Sequence, residues 1–98
     1  MTRETIIARL KSQETALRRL GVCHIALFGS AARNEAPAAS DIDILVDLQP
    51  DTPIGVFEYV GITQFLEGLF PVPVDVANHA RLKPHVRPSA EREAVYAF

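Results

Sequence analysis

Gly29-Ser30, then ten residues, then Asp41-Ile42-Asp43 is the constellation in this 98-residue sequence whose residue types and spacing suit chemistry. Residues two apart on a strand share one face with Cα atoms about 6.6–7 Å apart, so the carboxylates of Asp41 and Asp43 can converge on one cation or on two close together. Oxygen donors suit a hard ion, and Mg²⁺ is the one expected. Gly29 permits a backbone conformation and a close approach that a side chain would obstruct. Ser30, opening a helix, adds free N–H groups and a positive dipole end, which favour phosphate. A triphosphate held there and joined through Mg²⁺ to the aspartates would present its α-phosphorus for in-line attack by a hydroxyl, with pyrophosphate leaving.

Asp75 interrupts the apolar run Val72-Pro73-Val74-Asp75-Val76-Ala77. An unpaired charge there is costly unless it faces a polar site or a metal. Beside the other two aspartates it would be a third metal ligand or the general base for the attacking hydroxyl. Arg33, one helical turn after Ser30, either reaches a phosphate or serves as a structural cation paired with Glu35, Asp41 or another carboxylate. Ser40 either positions a metal ligand or makes ordinary turn hydrogen bonds. Asp47 reads as a solvated or capping carboxylate. His24, His79 and His85 show no metal spacing and read as solvated or packed, and Cys23 as a small core residue.

These residues need elements to hold them. Thr2 caps a helix over about 3–20, with Ile6, Ile7, Leu10, Leu17 and Leu20 at near-helical spacing and Gly21 to end it. Val22 to Phe28 reads as a buried strand stopping at Gly29, and a short helix follows from Ser30 to the region of Pro37. Asp41 to Asp47 reads as a second strand whose Ile42 and Ile44 point away from the acidic face. Thr52 and Pro53 are the expected start of a helix through Phe57, Val60, Phe65, Leu66 and Leu69. Val72 to Ala77 is the third strand, with Pro73 at its start or on an edge. A last helix spans about Pro88 to Ala97. The order αβαβαβα, three strands covered by helices, is a small α/β or α+β layer in one domain over 1–98.

Composition narrows the class. At 48% hydrophobic and 22% charged the chain reads as a globular domain with one core and little mass for a second binding module. A formal charge of −2 argues against an extended nucleic-acid grip. A single cysteine provides neither a disulfide framework nor a thiolate cluster, which fits a reducing cytoplasm. No apolar run reaches the roughly 18 residues of a membrane span, and the polar start MTRET is no export signal.

The segment Gly29-Ser30-Ala31-Ala32-Arg33-Asn34-Glu35-Ala36, then Ser40-Asp41-Ile42-Asp43, with Val74-Asp75-Val76 and the closing Arg92-Glu93-Ala94-Val95-Tyr96, resembles the minimal nucleotidyltransferases of the DNA polymerase beta superfamily. The likeness covers nearly the whole chain. It departs at Asn34, where the family usually has glycine; Asn tolerates a left-handed backbone. The resemblance implies a three-stranded mixed sheet with about four flanking helices. It implies transfer of AMP from ATP to an acceptor hydroxyl, with Asp41, Asp43 and Asp75 at the metal and Gly29, Ser30, Arg33 and Ser40 around the nucleotide. It also implies an antitoxin whose partner is a HEPN-domain toxin modified on a tyrosine. The rivals are an antitoxin that only binds and blocks, and a nucleotidyltransferase for small molecules such as aminoglycosides, which usually has more protein mass.

Overall fold

Thr2 starts the first helix: its hydroxyl oxygen accepts the Thr5 N–H at 3.2 Å, and α1 runs Arg3–Ser12. In the computed structural model, residues 1–33 and 41–98 are described. Asn34, Glu35, Ser40 and the helix end expected near Pro37 lie outside them. The single helix expected over 3–20 is two. The Ser12 hydroxyl turns back to donate to the Arg9 carbonyl at 2.6 Å, Gln13 leaves helical geometry at φ −107° and ψ 15°, and α2 follows as Glu14–Arg19. Leu10 and Leu17 are fully buried on either side of the break, so the apolar spacing survives it. Gly21 then turns the chain with φ 105°, where a Cβ would collide with the Ile54 side chain.

The remaining elements are β1 Val22–Phe28, α3 Gly29–Ala32, β2 Ile42–Leu48, α4 Val56–Glu67, β3 Val74–Asn78, a 3₁₀ turn at His79–Arg81, α5 Arg87–Glu93 and β4 Val95–Tyr96. The helix expected with Thr52 as its cap and Pro53 as its first residue begins three residues later. The Thr52 hydroxyl donates to the Gln49 side-chain oxygen at 3.3 Å, while Gly55 takes the cap position and Glu58 supplies the acid of the first turn.

The sheet has the order β3-β2-β1-β4. β1 runs antiparallel to β2 and β4, while β2 and β3 are parallel because α4 carries the chain across between them. The expected mixed α+β sheet therefore has four strands rather than three. The fourth comes from residues assigned to the last helix, which stops at Glu93. Val95 and Tyr96 instead pair with Leu27 and Ala26, and the Ala97 N–H donates to the Ile25 carbonyl at 2.8 Å, covering an edge of β1 that would otherwise be unpaired. Pro73 sits just ahead of β3, at the edge of the sheet, where its missing N–H costs nothing and its carbonyl accepts the Ile42 N–H at 2.9 Å.

Alternation sorts the sheet into two faces. Ile25, Leu27, Ile42, Ile44, Val46 and Val74 belong to the main core with Ile6, Leu10 and Leu17 of α1 and α2 and Ile62 and Leu66 of α4. Ala26, Leu45 and Ala90 of α5 are buried apart from that cluster. They mark the opposite face, to which Asp43 and Asp47 also point. Among the described residues no helix is long and apolar enough to cross a membrane.

Ala97→Pro removes the N–H that closes the β1 edge. The expected result is a loss of about 1–3 kcal/mol in urea unfolding, with greater self-association at high concentration.

Candidate active site

Register builds the site. β1 ends at Phe28, whose partner across the antiparallel ladder is Asp43, and Asp43 is in turn level with Asp75 across the parallel ladder. Neighbouring strands lie about 4.8 Å apart, so the two aspartates stand side by side on one face. Asp41 lies immediately before β2 and is exposed. Gly29 turns the chain out of β1 with φ 70°, and a Cβ there would sit 2.5 Å from Asp43 Oδ2. The turn backbone and the Asp43 carboxylate are thus in direct apposition, the close approach that a glycine allows.

The electrostatics follow from this crowding. Desolvation raises the Asp43 pKa first, and the Asp75 and Asp41 carboxylates raise it further. Among the described residues no Arg, Lys or His forms a salt bridge with any of the three. The donors are carboxylate oxygens on one side of the sheet, a set that fits a hard divalent cation better than a soft one. Their side chains do not already converge, since no three metal-ligating side chains among the described residues form a cluster. Like charges without a counter-ion repel.

The turn is braced from both sides. Arg3 Nη1 of α1 donates to the Ala32 carbonyl at the end of α3 at 3.0 Å. Arg33, the next residue, pairs with Glu93 of α5 at 2.9 Å, so among the carboxylates expected to hold it as a structural cation, one on α5 does so.

A second polar cluster escaped the sequence reading. His79, at the start of the 3₁₀ turn, has Nδ1 at 2.6 Å from Asp47 Oδ1 and Nε2 at 2.6 Å from Glu91 Oε2. Tyr96 OH lies 3.5 Å from Asp47 Oδ2. Asp47 is accordingly neither merely solvated nor a helix cap, and His79 is not simply packed. The partners are 32 and 12 residues from His79 in sequence, and no local spacing announces them. The one retrospective signal is the continued alternation of acid from Asp43 to Asp47 on the same face. A cavity of about 470 Å³ lies elsewhere, lined by Leu48, Ile54, Tyr59, Val60, Arg81 and Leu82 among others.

Residues 10–97 match the family model described as nucleotidyltransferase domain. The chain is 36% identical over 97 residues to the protein adenylyltransferase MntA of Thermococcus cleftensis, covering 98% of this chain and 96% of the relative. A solved structure described as a minimal nucleotidyltransferase superposes with a TM-score of 0.80 at 34% identity, covering 97% of this chain and 95% of that one. A toxin-antitoxin crystal structure with AMP-PNP shares the fold, with a TM-score of 0.69 at 19% identity, covering 90% of this chain and 72% of that one.

Two substitutions test the crowding. Gly29→Ala forces a side chain into the left-handed region and displaces the Asp43 carboxylate, so urea unfolding is expected to show a loss of about 1–2 kcal/mol. Asp43→Asn removes one of the mutually repelling charges, and without divalent cations its thermal midpoint at neutral pH should rise by roughly 2–4 °C. That gain should vanish in acid, because wild-type Asp43 takes up a proton as pH falls through its raised pKa.

Proposed function

We propose, from the premise that the chain belongs to the nucleotidyltransferase-domain family, that it transfers AMP from ATP to a hydroxyl of a protein partner. The observation that carries the reading is the register that sets Asp43 beside Asp75 and against the Gly29 turn. Asp41, Asp43 and Asp75 would hold Mg²⁺, as one or two ions. When bound, Mg²⁺ supplies positive charge that offsets the triphosphate and the departing pyrophosphate.

The chain's own residues do the rest. The Gly29 backbone and the Ser30 hydroxyl hold the triphosphate, and Arg33 steadies the end of the turn. Ser40, the residue before Asp41 in sequence, positions that ligand. Asp75 takes the proton from the attacking hydroxyl as its oxygen bonds to the α-phosphorus and the bond to pyrophosphate breaks.

A protein acceptor is supported by the adenylyltransferase name of the Thermococcus relative. It is supported also by an apolar surface on α4, where Phe57 is 90% exposed beside exposed Val56 and Val60. The occurrence of the same fold in a toxin–antitoxin with AMP-PNP and the resemblance of the sequence motif support an antitoxin role. The acceptor is then a tyrosine of a HEPN-domain toxin. We place this single-domain enzyme in the cytoplasm, acting in complex with its partner.

The protein is incubated with its copurifying partner, Mg²⁺ and ATP labelled at the α-phosphorus. Label is expected on a partner tyrosine, and it should fall at least about 100-fold with Asp41→Asn or Asp43→Asn. Inhibition of the partner without label would favour a blocking antitoxin. Label on an aminoglycoside instead of the partner would favour small-molecule transfer.

A further inference from the structure

His79 has a carboxylate oxygen at 2.6 Å from each ring nitrogen, Asp47 of β2 on one side and Glu91 of α5 on the other. A neutral imidazole has one N–H and can satisfy only one of them; the imidazolium donates to both. α5 is too short to stand by its own hydrogen bonds, so its place depends on what its side chains grip. Successive helical residues rotate by about 100°, so with Ala90 facing the sheet, Glu91 and Glu93 leave α5 on opposite flanks. Glu91 reaches His79, with Arg87 Nη1 3.7 Å from the same carboxylate and Arg87 Nη2 donating to the Ala80 carbonyl at 3.4 Å. Glu93 reaches Arg33 at the end of the glycine turn.

We propose that His79 is a positioning residue: as an imidazolium clamped between Asp47 and Glu91 it seats α5 on the sheet, and α5 holds the Gly29–Ser30 turn through the Glu93–Arg33 pair. That the turn binds a triphosphate rests on the function proposed above; the clamp itself does not. The charged and titratable groups around the ring are Asp47 of β2, Glu91 and Arg87 of α5, Tyr96 of β4 through Asp47, His24 of β1 against the Tyr96 ring, and Arg81 on the ring's own 3₁₀ turn. The bond to Glu91 chiefly raises the His79 pKa; partial burial lowers it, and Asp47 adds to the rise. A raised folded-state pKa means that the clamp is complete below the ordinary 6.5 and is released as pH climbs through the raised value.

Nuclear magnetic resonance on the ¹⁵N-labelled full chain tests this. Both His79 ring nitrogens should carry protons at pH 6.5, and the amides of Gly29 and Ser30 should shift with the same midpoint as the ring on raising the pH. Glu93→Gln should leave the ring titration in place while the turn amides cease to follow it. Affinity for the α,β-methylene analogue of ATP with Mg²⁺ should weaken by about five-fold or more across that midpoint in the wild type and stay flat in Glu93→Gln. Turn amides indifferent to the ring, or still following it in Glu93→Gln, would overturn the proposal. Failure of the wild type to bind the analogue at any pH would instead sink the nucleotide reading, and the ring and amide titrations would still decide the clamp.

Discussion

The Asp43 carboxylate occupies the space that a side chain on Gly29 would require, and the rest of the site is arranged around that exclusion. Two ladders enforce it. The antiparallel pairing of β1 with β2 delivers the turn to Asp43, and the parallel pairing of β2 with β3 delivers Asp75. Neither contact is locally favourable to an ionised acid, because one removes water and the other adds like charge. The fold bears this because Ile42 and Ile44, on either side of Asp43, are buried on the far face with Leu10, Ile62 and Leu66. Slipping the strand by one residue to relieve the acid would turn that apolar set outward.

The sheet is therefore asymmetric. One face is a continuous apolar core under α1, α2 and α4. Among the described residues the other has Ala26, Leu45 and Ala90 as a small buried island, with acid at one end and the His79 cluster at the other. α5 is the cover for this poorer face. Polar links to the 3₁₀ turn and to Arg33 do the anchoring that apolar area does elsewhere.

What could be read from the chain was what local physics controls. The strand from Val22 to Phe28, the glycine turn and the place of Asp43 on the face opposite Ile42 and Ile44 stand where alternation and conformational preference put them, whereas Asp41, expected to open the second strand, lies just ahead of it. The misreadings have definite causes. Ser12 diverts the Arg9 carbonyl and breaks the first helix, and Thr52 bonds Gln49 rather than a helix start. Val95 and Tyr96 follow a helix but answer the bare edge of β1, a need that exists only once the sheet has formed. The pairing of Arg33 with Glu93 and of His79 with Asp47 and Glu91 depends on the folded placement of α5, which no run of adjacent residues encodes.

Arg3 lends its guanidinium to the carbonyl of Ala32, 29 positions later, at the point where the glycine turn ends. α3 is a single turn of helix, with too few internal bonds to satisfy its own last carbonyls. An expression vector that trims away the first three residues would thus loosen the end of the glycine turn while leaving Asp41, Asp43 and Asp75 in the chain. Preparations differing only in their leading residues need not be interchangeable in an assay.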